Sequence, residues 1–118
     1  MGYMRHNAIV VTGDGYEGAQ IKLNKVYEQA KEIFGDLVSN MIDGKTNGIR
    51  SFFIAPDGSK EGWDVSDLYN SKREALATII DSMSYEDGSN PIQFVDVGYD
   101  EDYVAEVDRT NKGIIEGI

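Results

Sequence analysis

A chain of 118 residues with ordinary apolar and charged fractions is the size of one domain with its own core, and it contains no cysteine. Disulfides, thiol catalysis and cysteine metal sites are therefore excluded together. The net charge of −10 is uneven: residues 84–118 hold nine acids against two bases, so a phosphate-rich partner is repelled and direct nucleic-acid binding is disfavoured.

No stretch approaches the roughly 18 consecutive apolar residues of a membrane helix. Residues 1–6 lack an apolar signal core and read as a disordered or vector-derived N-terminus. Together these point to a cytoplasmic protein with no membrane partner. Residues 7–99 read as one α+β domain, and residues 100–118 as an acidic, partly ordered tail.

The β-branched run 7–12 predicts a buried strand, closed by Gly13. Ala19, Leu23, Val26, Tyr27, Ala30, Ile33 and Phe34 recur at helical spacing and predict one apolar stripe, ended by Gly35. Strands are expected over 37–42 and 49–55. Pro56-Asp57-Gly58 then signals a reversal, folding 60–65 back as an edge strand with Trp63 against the sheet. Ser71 and Glu74 have capping-box spacing and predict a helix start, with Leu76, Ile79, Ile80 and Met83 as its stripe. A last core strand is expected over 92–99.

The order strand, helix, strand, strand, helix, strand suits a ferredoxin-like βαββαβ sandwich, an antiparallel sheet with both helices on one face and an extra hairpin edge strand near Trp63. The other face is then solvated, or covered by the tail or by a second copy in a homodimer.

Four patterns carry candidate chemistry. Gly13-x-Gly15-x-x-Gly18 follows a strand and opens a helix, with Asp43 closing the next strand, as in a dinucleotide-binding fingerprint. Asp14 and Glu17 put negative charge where a phosphate would sit, and the further units of a doubly wound domain are missing. Asp57, Ser59 and Glu61 match half a calcium loop, which fails at its twelfth position, Leu68. The only histidine, His6, has no partner that the sequence can place. The acids from Glu86 to Asp108, unbroken by a base, read as a solvated face or as a surface for a basic patch on a partner. Neither catalysis nor a cofactor follows from these patterns. Trp63, with Tyr69 and Tyr85, is either an exposed anchor cluster or, for Trp63, a lid on the core; Asp100, Glu101 and Asp102 are the acids of the C-terminal run expected to engage a partner.

The segments Asn7-Ala8-Ile9-Val10-Val11-Thr12, SFFIAPDGSKEGW at 51–63, Ser66-Asp67 and YEDGS at 85–89 resemble a group of small uncharacterised proteins encoded by tailed bacteriophages. The resemblance covers residues 4–99 and is most specific over 51–67. It implies a protein made in the cytoplasm of an infected bacterium, and carries over no functional residue. The leading expectation is a non-enzymatic acidic accessory protein that binds and modulates a host or defence protein. The alternative is a nucleotide or signalling-dinucleotide binding protein or enzyme using Gly13, Gly15, Gly18 and Asp43.

Overall fold

A computed structural model describes residues 4–112; the expectations for residues 1–3 and 113–118 lie outside the described residues. The chain runs β1 (Arg5–Gly13), α1 (Glu17–Phe34), β2 (Ile42–Asp43), β3 (Arg50–Ile54), α2 (Asp64–Asp81), β4 (Ile92–Asp100) and β5 (Ala105–Thr110). The strands form one sheet in the order β2-β3-β1-β4-β5, with every neighbouring pair antiparallel. The class is α+β, as the sequence predicts, with five strands and two helices.

Strand alternation decides where the core lies. Ile9 and Val11 of β1, Phe52 and Ile54 of β3, and Ile92 and Phe94 of β4 share one face of the sheet. They pack against Leu23, Val26, Ala30 and Phe34 of α1 and Leu76, Ala77 and Ile80 of α2. Both helices therefore cover the same face. At the centre, the Phe52 ring meets Tyr27 edge-on at 5.0 Å, and the Tyr27 hydroxyl donates to the Ser39 carbonyl (3.0 Å). The expected stripe of α1 is the buried one, and it stops at Gly35, where a φ of 59° favours glycine.

Three local expectations are corrected. The expected strand over 37–42 is instead a 3-10 turn, Gly35–Leu37, and a single bridge from Val38 to Ile54. Regular pairing begins only at Ile42, because Ser39 spends its N–H on the Phe53 carbonyl and its hydroxyl oxygen on the Phe53 N–H.

The predicted edge strand at 60–65 does not form. The Ser59 N–H closes a turn on Asp57 Oδ2 (3.1 Å), the Trp63 N–H closes another on the Lys60 carbonyl (3.3 Å), and these two turns deliver the chain directly into α2. Trp63 is the residue before the first helical turn rather than a residue against the sheet.

The helix consequently starts seven residues before the predicted capping box. Ser71 lies inside it, its hydroxyl donating to the Asp67 carbonyl one turn back. Asp64 and Asp67 occupy the first turn, where the helix dipole favours acids.

The extra edge strand is β5, built from residues read as tail. It joins β4 through a register shift at Asp96/Val97 that leaves Asp108 as the unmatched residue. At the other end, Arg5 and His6 of the expected leader belong to β1.

Candidate functional site

The largest concentration of buried charge lies between α2 and the β4–β5 edge. Residues 92, 94, 96 and 98 of β4 all face the helices, so Asp96 continues a stripe that Ile92 and Phe94 begin. At 6% exposure it is a carboxylate in a core position. Its Oδ2 meets Arg73 Nε of α2 at 3.2 Å, and its Oδ1 accepts from Asn7 Nδ2 (2.9 Å). Asn7 also donates to Asp108 (2.6 Å), and Arg5 grips both oxygens of Asp108 (2.8 and 3.0 Å) and reaches Glu106 (3.1 Å). Arg109 of β5 extends the set to Asp81 of α2 (2.9 Å).

Burial holds the Asp96 carboxyl above its usual range, against the opposing pull of the Asn7 bond and the Arg73 charge. Asp108 is held below its usual range, first by its Arg5 hydrogen bonds, which outweigh burial. Asn70, Arg73, Glu74, Asp96, Asp108 and Arg109 line a cleft of about 180 Å³, smaller than the ~300 Å³ at which small-molecule sites begin. Every buried side-chain nitrogen and oxygen among the described residues has a hydrogen-bond partner. Chemically this is a clasp. It ties β5 and α2 to the sheet through fork-shaped arginine–carboxylate contacts.

The sequence-predicted residues are dispersed. Asn90 Nδ2 donates to the Ile80 carbonyl at the end of α2, and Asp96 meets Arg73 half-way along it. β4 therefore runs back toward the start of α2. The turn after it, with Asp100 at its base and exposed Glu101 and Asp102, emerges at the same end of the molecule as Trp63. Asp100 Oδ1 accepts from the N–H groups of Asp102 (2.9 Å) and Val104 (3.1 Å), shaping that turn.

Trp63 is 50% exposed, together with Val65 and Leu68. Tyr69 turns the other way, its ring 6.3 Å from Phe34. Tyr85 lies beyond the far end of α2, about 27 Å from the helix start. There its hydroxyl bonds that of Tyr16 (2.9 Å), pushing the Tyr16 pKa up to about 12, and Lys22 sits over its ring. The aromatic trio is thus not one cluster.

Of the three expected loop glycines only Gly15 lies in the β1–α1 turn, since Gly13 ends β1 and Gly18 is already in the first turn of α1, and that turn is packed against the β2–β3 loop. A Cβ on Gly15 would fall 1.8 Å from the Asn47 carbonyl oxygen, and one on Gly13 would press on Leu23. Asp43 pairs with Arg50 (3.2 Å). Gly15→Ala is expected to cost about 2–3 kcal/mol by overpacking, read as a fall in the urea midpoint. His6 lies on the sheet face away from the helices, its ring 5.4 Å from Tyr99.

Comparison with family models, with curated proteins and with solved structures returned no match. Function has to be argued from the residues. Among the described residues no group of three or more His, Asp or Glu side chains could hold a metal, and no helix is long and apolar enough to cross a membrane.

Arg5, Asn7 and Arg73 escaped the sequence reading, and Asp96 and Asp108, expected on a solvated or partner-facing acidic surface, are instead held in the clasp, with Asp96 buried. One signal was present: an acid at the third core-facing position of an alternating strand. Val65 and Leu68, the exposed neighbours of Trp63, are not singled out by the sequence either: Val65 falls in the expected edge strand and Leu68 enters only as the failed twelfth position of the calcium-loop match.

Proposed function

We propose that the chain is a non-enzymatic binding module, an acidic accessory protein of phage origin that engages a basic surface on a host or defence protein in the infected cell's cytoplasm. One observation carries this reading. Trp63, Val65 and Leu68 are large apolar side chains left exposed within six residues, and Glu61, Asp64 and Asp67 are exposed among them. Val65 and Leu68, three apart on α2, are neighbours on one helix face. A tryptophan anchor with an acidic rim suits a basic partner: the ring supplies buried area and the acids steer encounter. Asp100, Glu101 and Asp102 add charge at the same end.

We also read the inner four strands as ferredoxin-like. The order β2-β3-β1-β4, with α1 and α2 as the two crossovers, supports this, and β5 is then an added edge strand. The nucleotide alternative draws less support, since Asn47 takes the space at Gly15 and Asp43 is paired.

Immobilised full-length protein is expected to retain a specific host protein from bacterial lysate. Trp63→Ala, or neutralising Asp100, Glu101 and Asp102 together, is expected to abolish retention, while Tyr85→Ala at the opposite end leaves it intact. Capture that ignores Trp63 and the three acids would remove the basis for this proposal.

A further inference from the structure

The sheet has a second face, turned away from the helices, and its chemistry differs from that of the helix side. Opposed residues of antiparallel strands point to the same side, so the register assigns each side chain to a face. On the helix side, Arg50 reaches Gln20 of α1, Asp96 and Arg109 reach Arg73 and Asp81 of α2, and Glu106 and Asp108 bind Arg5. Asp43 stands opposite Arg50, and Asp100 opposite Arg5, on that same side.

These are all the Asp, Glu, Lys and Arg residues that the five strands contain. Among the described strand residues the open face therefore carries none. Its middle is Phe53, Val10 and Val95 in register across three strands, continued by Val97, Val107 and Tyr99. Phe53, Val10, Tyr99 and Val107 are exposed there. The polar residues at its margin are partly satisfied among themselves, as in the 2.9 Å bond between the Thr12 and Ser51 hydroxyls.

We infer that two copies of this chain pair through these open faces, sheet on sheet. A chain of net charge −10 repels its own copy wherever carboxylates line the approach. An apolar face without formal charge lets two copies meet without burying one. The same lack of charge gives a basic or acidic partner nothing to recognise here, which separates this surface from the Trp63 end.

Size is adequate. Five strands about 4.8 Å apart, rising about 3.3 Å per residue, give a face of roughly 500–600 Å² in projection. Two such faces together offer roughly 1,000–1,200 Å², at the lower edge of specific interfaces and above the ~800 Å² of ordinary packing contacts. Facing sheets would pack about 10 Å apart with their side chains interdigitated. The inference does not rest on the partner proposed above and fails independently of it.

Sedimentation equilibrium of the full chain at micromolar concentrations is the test. It is expected to read twice the mass of one chain, with association strengthened by added salt as the repulsion between the two charged copies is screened. Val107→Lys is expected to weaken association roughly tenfold or more, because the two-fold axis brings one lysine from each copy into the same apolar interface. Val107 sits on an edge strand, where lysine is tolerated, so the monomer's far-UV spectrum is expected to be unchanged. Phe53→Lys is expected to give monomer, and Ile21→Lys, on the outer side of α1, to leave the dimer intact. A wild-type monomer throughout the concentration range overturns the inference. So does a dimer that survives both Val107→Lys and Phe53→Lys, or one that salt dissociates.

Discussion

Replacing Arg73 with alanine is expected to lower folding stability by about 3–5 kcal/mol at neutral pH, the usual consequence of stranding one member of a buried ion pair. Asp96 would keep the amide of Asn7 but lose the Arg73 guanidinium, with the Asp108 carboxylate still nearby. Its carboxyl is already held above the usual range by burial, and the variant raises it further. A carboxyl whose folded pKa exceeds its unfolded value binds its proton more tightly in the native state. The native state is then favoured at low pH, and that advantage is lost as pH rises through the folded pKa. The deficit of Arg73→Ala relative to wild type is therefore expected to shrink as pH falls into the carboxylate range.

Replacing both partners with leucine is expected to cost less than either single substitution, since no uncompensated charge stays buried. Urea titrations at several pH values measure all of this. A small deficit, constant with pH, would show that Asp96 is better solvated than its surroundings imply.

Phe52→Ala is the second large effect, at about 3–5 kcal/mol. Phe52 is 1% exposed, sits at the centre of the core, and loses its edge-on contact with Tyr27 when truncated. That contact adds about 0.5–1.5 kcal/mol beyond burial. Its neighbour Phe53 makes the instructive comparison. It points to the open face, so Phe53→Ala is expected to change monomer stability by no more than about 0.5–1 kcal/mol. Thermal melts of the two variants side by side, at concentrations low enough to exclude association, separate the two faces of one strand.

Much of this architecture was legible because local pattern and tertiary environment agree. In α1 the residues at helical spacing are those that meet the sheet. In β1, β3 and β4 the residues that build the apolar core, Ile9, Val11, Phe52, Ile54, Ile92 and Phe94, are all branched or aromatic and alternate along their strands. The errors fall where partners are distant in sequence. β5 offers only Ala105 and Val107 among acids and polar residues, and reads as a tail. Its charges are satisfied by Arg5, about a hundred residues earlier, and by α2.

Ser71 and Glu74 imitate a helix start, yet the chain enters α2 through two successive turns that bring Asp64 and Asp67 to its N-terminus. The glycine-rich turn imitates a phosphate cradle. Its close approach at Gly15 is to the Asn47 carbonyl, a contact that spacing alone does not reveal. The candidate site was half legible. Trp63 and the three acids were named from composition, whereas their shared position at one end follows only from the direction of β4 along α2.

The most direct test uses Trp63 itself, since it is the only tryptophan and reports on its own surroundings. In the free protein its emission is expected to be red-shifted and open to acrylamide quenching. Adding the captured partner protein, in a tryptophan-free form, is expected to shift the emission to the blue and to protect it from quencher. A partner that binds with the emission and quenching of Trp63 unchanged would contradict the account.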